Sequence, residues 1–230
     1  LLVAARFGRE RQAMLVVDPP LAWETPAAAL AGMRDWPFRA DNALPADSQK
    51  LADHCRQLFG RIDVLIANAG ICLGSEILSV TESAYDREMD INLKGTLFLI
   101  QHCVPLMPRG SAISITTSGN DDQGIPGQLV YSATKAALRS VVRTLAAELA
   151  PSGIRVNGVA PGPIDTPIFD KAFPDREAAE RMRVFEAGLP ALKRLGRPEE
   201  VADAFVYLSG QKASFITGAN LRVDGGWVDI

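Results

Sequence analysis

This 230-residue sequence predicts an α/β fold, with one doubly wound parallel sheet in a single domain spanning 1–230. Three observations predict it. Short continuous apolar runs, such as Met14-Leu15-Val16-Val17 and Val64-Leu65-Ile66-Ala67, have the form of strands buried on both faces. Stretches of helical period separate these runs, and strands alternating with helices give a parallel sheet covered on both sides. Asp18, Asn68, Ser118 and Pro161-Gly162 all fall just past strand ends. Ligands of such sheets bind beyond the carboxyl ends of the strands, so one edge gathers these residues into one site.

Taken in order, Leu1 to Glu10 reads as the rear of a helix, and Met14 to Val17 as a strand stopped by Asp18-Pro19-Pro20. Pro26 to Met33 predicts a short helix and Trp36 to Ala40 a weak strand. Asp47 to Phe59 is amphipathic and is followed by Gly60, a helix-ending signal. Val64 to Ala67 is the next strand. Thr81 opens a long helix running to Met107 with N-cap chemistry, and Pro105 and Pro108 end it. Ala112 to Thr116 is a strand, Leu129 to Ala150 a helix and Ile154 to Val159 a strand. Ile168 to Leu195 is mixed. Pro198 to Leu208 starts with proline and two glutamates, as helices do. Leu221 to Val223 is a last short strand.

Composition sets limits. A chain 47% hydrophobic and 22% charged has ample core for one globular domain. A net charge of −3 leaves no basic footprint for nucleic acid. Arg6, Arg9 and Arg11 fit a solvated face. No apolar run reaches the ~18 residues of a membrane span, and no signal peptide is visible. Cys55, Cys72 and Cys103 lack metal-ligand spacing and are odd in number, which predicts reduced thiols in a cytoplasmic protein. His54 and His102 are isolated and read as helix residues, not ligands.

Chemistry concentrates between Ser118 and Lys135. Ala133, Ala136, Ala137, Leu138, Val141, Val142 and Leu145 place Tyr131 and Lys135 on one helix, four apart and therefore on one face. A free tyrosine has a pKa of about 10. A cation within ~4–6 Å favours the phenolate and lowers that value. Such a phenol exchanges a proton with an alcohol or ketone oxygen, and the Ser118 hydroxyl can hold the same oxygen. A tyrosine and a lysine four apart are common by chance, usually as a half-buried ring beside a solvated charge. Of the three tyrosines, however, only Tyr131 has the lysine.

With those residues in hand, the sequence resembles the short-chain dehydrogenase/reductase family over nearly its whole length. The likeness is carried by Ile62-Asp63-Val64-Leu65-Ile66-Ala67-Asn68-Ala69-Gly70, Ile91-Asn92-Leu93-Lys94-Gly95-Thr96, Ser118, and Tyr131-Ser132-Ala133-Thr134-Lys135. It continues through Ile154-Arg155-Val156-Asn157 to Pro161-Gly162-Pro163-Ile164-Asp165-Thr166, and ends at Val223-Asp224-Gly225-Gly226. The resemblance implies a Rossmann-like oxidoreductase using a nicotinamide cofactor. Tyr131 would be the acid/base, Ser118 would hold the substrate oxygen, and Lys135 would bind the nicotinamide ribose and lower the Tyr131 pKa. Asn92 would kink its helix and hold a water in a proton relay. Asn68, Ala69 and Gly70 would line the cofactor, Asp41 would lie near the adenine, and Pro161, Gly162, Ile164 and Thr166 would hold the nicotinamide end. It also implies a homotetramer built on the helices Thr81–Met107 and Leu129–Ala150.

One departure stands out. The family's first strand and its turn, Thr-Gly-x-x-x-Gly-x-Gly, have no counterpart: Gly8 is the only glycine before Gly32. Leu1 to Ala5 lies too close to Met14 to be that strand, because a parallel crossover takes at least ~10–12 residues. The chain also begins without methionine, so either a segment precedes Leu1 or the protein is truncated there. The expectation is a missing first strand, leaving a gap one strand wide between Met14–Val17 and Val64–Ala67.

Two functions follow. One is an alcohol dehydrogenase or carbonyl reductase acting on a small molecule. The other is a truncated, non-catalytic relative that binds or assembles. Asp18, placed to accept from both ribose hydroxyls and to repel a 2′-phosphate, favours NAD over NADP. Its other reading is a turn residue before Pro19. Residues 166–195 would form a lid that Ile168, Phe169, Phe173, Met182, Phe185 and Leu189 make apolar, suiting an uncharged substrate.

Overall fold

The structure is a computed structural model describing residues 2–7, 12–17, 41–74, 76–166, 169 and 175–230. Its centre is a six-stranded sheet of strands in sequential order. These are β1 (Leu2–Phe7), β2 (Gln12–Val17), β3 (Val64–Ala67), β4 (Ala112–Thr116), β5 (Arg155–Pro161) and β6 (Asn220–Val223). β2 to β6 run parallel, and β1 pairs antiparallel with β2.

The N-terminal end corrects two expectations. Leu2–Phe7 is a strand, not the rear of a helix, in register Leu2↔Val17 to Phe7↔Gln12. Short apolar runs fit either element on periodicity, and an antiparallel partner needs only a short connection. No gap separates β2 from β3 either. Met14 pairs with Val64 and Val17 with Ala67, so β2 occupies the place next to β3. The reason is that a slot in mid-sheet would leave a row of backbone donors and acceptors unpaired on both strands. The sequence readings at Asp18, Pro26–Met33 and Trp36–Ala40 lie outside the described residues.

The helices follow the sequence closely. α1 (Pro45–Phe59) has proline in its first turn and stops at Gly60, whose φ of 74° is the left-handed conformation glycine tolerates. α2 (Glu82–Glu88) is capped by Thr81, whose hydroxyl accepts from the Ala84 N–H at 3.2 Å. The predicted long helix is not uniform: α2 passes into a π-helical segment, Met89–Lys94, before α3 (Gly95–Cys103). α4 (Leu129–Leu149), α5 (Arg176–Ala187) and α6 (Pro198–Ser209) complete the set.

Two apolar layers flank the sheet. On one side Leu51 and Cys55 of α1, Leu99 and Cys103 of α3, and Leu138 and Val142 of α4 pack on Leu65, Ile113, Ile115 and Val156. On the other, Val201, Phe205 and Leu208 of α6 cover Ile66 and Val159. Neighbouring Leu65 and Ile66 thus serve opposite layers, as the two-residue period of a strand requires. α3 meets the loop before α1 so closely that a Cβ on Gly95 would sit 1.9 Å from the Asn42 carbonyl oxygen. Gly95→Ala is therefore expected to lower stability by ~1–3 kcal/mol or more, because backbone must move to admit the methyl. Thermal unfolding checks it, and an unchanged Tm would contradict the packing.

Candidate active site

In-register pairing brings the strand ends together. Ala67 pairs with Ile115, Thr116 with Val159, and Pro161 with Val223. Asn68-Ala69-Gly70, Thr116 to Ser118, Pro161-Gly162 and Asp224 consequently leave the sheet along one edge. α4 starts beside that edge and carries Tyr131 in its first turn and Lys135 one turn on.

Ser118 is extended, at φ −168° and ψ 159°, and is nearly buried. Its hydroxyl accepts from the Asn120 N–H at 3.2 Å and donates to Asn120 Oδ1 at 3.3 Å. Asn120 Nδ2 in turn donates to Gln128 Oε1 at 2.6 Å, tying the Ser118 turn to the start of α4. Lys135 is 3% exposed, and its Nζ lies 5.5 Å from the centre of the Tyr131 ring and donates to the Thr116 carbonyl at 2.8 Å. The Thr116 hydroxyl donates to Asn68 Oδ1 at 2.5 Å. Tyr131, Lys135, Thr116 and Asn68 thus form one connected group.

Burial dominates the electrostatics. It pushes the Tyr131 phenol above its ordinary value, against a lowering by the Ser118 hydroxyl, and Cys72, Glu88 and Glu186 add to the rise. This direction is opposite to the one expected from the neighbouring cation, because desolvation of the phenolate outweighs it. Burial likewise lowers Lys135 to about 8, with Cys72 and Asp121 opposing. The phenol is held protonated at neutral pH and is set up to donate.

Asn92 is fully buried in the π-helical segment. π-Helical turns often mark functional sites. Its Oδ1 accepts from the Ile71 N–H at 2.8 Å, and its Nδ2 donates to the Ile71 carbonyl at 2.9 Å and to Thr134 Oγ1 at 3.2 Å. The side chain therefore bolts the segment after Gly70 to α4. Thr134 also donates to the Tyr131 carbonyl at 2.7 Å. The sequence reading missed Thr134, Asn120 and Glu88. Glu88 is buried and accepts from the Leu73 N–H at 2.8 Å, and its charge four residues before Asn92 on the same helix was the available signal.

The remaining sequence candidates are spread along the edge. Ala69 is nearly buried beside Gly70, where a Cβ would lie 3.5 Å from both Lys135 Nζ and Asn92 Oδ1. Gly162 N–H donates to the Val223 carbonyl at 3.1 Å, and a Cβ there would meet Asp224 Cα at 2.7 Å. Ile164 bridges to Gly196 and packs on the α6 layer, and Thr166 is half-buried just after it. Asp41 is exposed and accepts from the Ala43 N–H at 3.0 Å, an Asx turn that leads into α1. Asp18 lies outside the described residues. In the segment expected to form a lid, Ala179, Met182, Arg183 and Glu186 form the inward stripe of α5. Phe185 is 63% exposed and Leu189 also faces solvent, while Phe169 is buried beneath the Arg183 guanidinium. Ile168 and Phe173 are outside the described residues. No group of three metal-ligating side chains occurs among the described residues.

The family model described as enoyl-(acyl carrier protein) reductase matches residues 3–228. The chain belongs to the short-chain dehydrogenase/reductase family. Among its relatives in that family is the 3-oxoacyl-(acyl-carrier-protein) reductase FabG of Thermotoga maritima, 38% identical over 75% of this chain and 68% of the relative. Another is an L-rhamnose 1-dehydrogenase (NAD(P)(+)) of Sphingomonas, 36% identical over 85% of this chain and 76% of the relative. The ligand-free aldohexose dehydrogenase of Thermoplasma acidophilum superposes with a TM-score of 0.77 at 31% identity, covering 81% of this chain and 76% of that one. A short-chain dehydrogenase/reductase double mutant of Serratia marcescens gives 0.78 at 29% identity over 93% and 86%. These relatives are oxidoreductases with small-molecule substrates, and the family's cofactor is a nicotinamide dinucleotide.

The residues of this short-chain dehydrogenase/reductase suit the nicotinamide-ribose end of that cofactor. Lys135 has three donors, and one is used on Thr116. It makes no ion pair among the described residues, so a buried ammonium keeps donors for ribose hydroxyls. Gly70 leaves the space over it clear. For the pyrophosphate, by contrast, the sequence holds no glycine-rich turn.

Proposed function

We propose that this chain is a nicotinamide-dependent alcohol dehydrogenase or carbonyl reductase in which Tyr131 is the acid/base. The observation that carries the reading is buried Lys135, its Nζ 5.5 Å from the centre of the Tyr131 ring and on the edge that also carries Ser118. The bound dinucleotide supplies the hydride. Ser118 holds the substrate oxygen by its hydroxyl. Tyr131, protonated at neutral pH, gives its proton to that oxygen as the carbonyl becomes an alcohol, and takes it back in the reverse direction. Lys135 binds the ribose and stabilises the phenolate left behind. Asn92 holds the Gly70–Ile71 segment in place and carries the proton relay with a water. Asn68, Ala69, Gly70, Pro161, Gly162, Ile164 and Thr166 line the cofactor cleft, with Asp41 towards the adenine. Turnover of a carbonyl panel with reduced cofactor, lost in Tyr131→Phe, tests the reading.

The cofactor is NAD in preference to NADP, because Asp18 supplies a carboxylate where a 2′-phosphate would need a cation. Asp18→Ala is expected to narrow the ratio of kcat/KM between the two cofactors. A wild type favouring NADP, or a variant with an unchanged ratio, would refute the assignment. The substrate is a small uncharged alcohol or ketone. The names of the relatives leave acyl thioesters and sugars both open, and a substrate panel with each cofactor separates them.

The protein acts in the cytoplasm, a placement that its free Cys55, Cys72 and Cys103 support. It works as a homotetramer. Leu97 and Phe98 of α3 and Leu129 of α4 are exposed, and an apolar pocket lies between Ile77, Val80, Tyr85, Leu129 and Val130. Such faces need a cover, and a second copy provides it. Light scattering should give four times the chain mass, and a monomer at micromolar concentration would count against it.

A further inference from the structure

The segment after β6 touches three site-forming elements at once. Its turn, Asp224-Gly225-Gly226, is fastened by the Asp224 carboxylate, which accepts from the Gly226 N–H at 2.9 Å and the Val228 N–H at 3.1 Å. The turn meets Gly162 at the end of β5, and the Leu192 N–H behind the lid donates to the Gly225 carbonyl at 3.1 Å. Beyond it, the Trp227 ring lies against Gly119, the residue that follows Ser118. A Cβ on Gly119 would stand 2.8 Å from Trp227 Cε3 and Cζ3 and 2.9 Å from Val228 Cγ2, closer than real side chains approach. Gln123 Nε2 holds the Trp227 carbonyl at 3.0 Å. Asn220 Nδ2 donates to Asp121 Oδ2 at 2.8 Å, while Arg222 pairs with Asp122 and, at 3.0 Å, with Asp229. The whole Ser118–Gln123 segment is thus seated on the C-terminal residues.

We propose that Trp227, with the turn that carries it, is a positioning residue that sets where the Ser118 hydroxyl stands relative to Tyr131. The ring is a flat stop against the Gly119 backbone. Glycine is needed there because the stop leaves no room for a methyl. Cutting the chain before Trp227 would free the Ser118 turn from that stop while leaving the sheet and Tyr131 as they are. The proposal rests on the assignment of Ser118 and Tyr131 to catalysis.

The test uses Trp227→Ala, Gly119→Ala, and Gly119→Ala combined with Trp227→Ala and Val228→Ala. Trp227→Ala is expected to lower kcat by roughly tenfold or more, since a ~1 Å misplacement costs up to ~10²-fold. It should also change the pH limb of alcohol oxidation, because Ser118 is one of the groups that set the Tyr131 pKa. Gly119→Ala should cost more in the wild-type background than in the Trp227→Ala Val228→Ala background, a failure of additivity that marks direct contact. Amide hydrogen exchange over 117–128 should quicken in Trp227→Ala, and this readout needs no turnover. Equal costs of Gly119→Ala in both backgrounds, or Trp227→Ala with unchanged kcat, pH limb and exchange, would overturn the proposal. If Tyr131→Phe kept full activity, the catalytic assignment would fail instead, and the exchange data would still report whether the tail holds the turn.

Discussion

Tyr131→Phe is expected to lower kcat by roughly 10²–10⁴-fold, the contribution of a general acid–base group. The ring keeps its packing and only the titrating hydroxyl is lost, so Tm and circular dichroism should stay as in the wild type. Burial holds the phenol protonated from pH 6 to 9, so carbonyl reduction should stay level up to about pH 8 and fall above it only as Lys135 loses its charge. Alcohol oxidation needs the phenolate and should rise with pH over the same interval. A variant with wild-type kcat across pH 6–10 would remove Tyr131 from the mechanism.

The second large effect is expected at Lys135. Lys135→Met fills a similar volume but removes the side-chain donor to the Thr116 carbonyl, together with the charge beside Tyr131. The expected result is a fall in kcat of about 10²-fold or more, with weaker cofactor binding, since an unmade charged hydrogen bond in a buried site costs ~1.5–3 kcal/mol. Stability carries a separate signature. Lys135 is at about 8 in the fold and 10.5 ordinarily, so between those values the unfolded chain binds more protons. Wild-type stability therefore gains from this group as pH rises from 8 towards 10, whereas below pH 8 the buried charge imposes its full cost. In Lys135→Met that gain should vanish. Denaturant titrations at pH 8 and pH 10 check it, and an equal gain in both proteins would place the effect elsewhere.

The strand ends were legible because each carries a short apolar run that breaks at a polar or glycine residue. Val64–Ala67 and Ala112–Thr116 match residue for residue. The helix that carries Tyr131 and Lys135 was legible from its apolar spacing, and Thr81 and Gly60 from cap chemistry. Leu2–Phe7 was not, since its apolar residues satisfy neither period uniquely and its antiparallel partner is a tertiary fact. The π-helical segment was hidden as well. It adds a residue to a turn without changing composition, and its mark is a backbone bond such as that from the Gly95 N–H to the Asp90 carbonyl, five residues back. The direction of the Tyr131 shift was misjudged because a sequence shows the cation four residues away but not the burial that outweighs it. Trp227 and Gly119 are far apart in the chain, and only the fold shows that one limits the other.

The most direct measurement follows a deuterium label. Wild-type protein is incubated with a reduced nicotinamide cofactor deuterated at the transferring position and with a panel of neutral ketones, aldehydes and sugar lactones, and the products are read by mass spectrometry. The account predicts one deuterium on the carbinol carbon of at least one product, with the label transfer lost in Tyr131→Phe. A correctly folded protein that binds neither NADH nor NADPH and transfers no label to any carbonyl would contradict it.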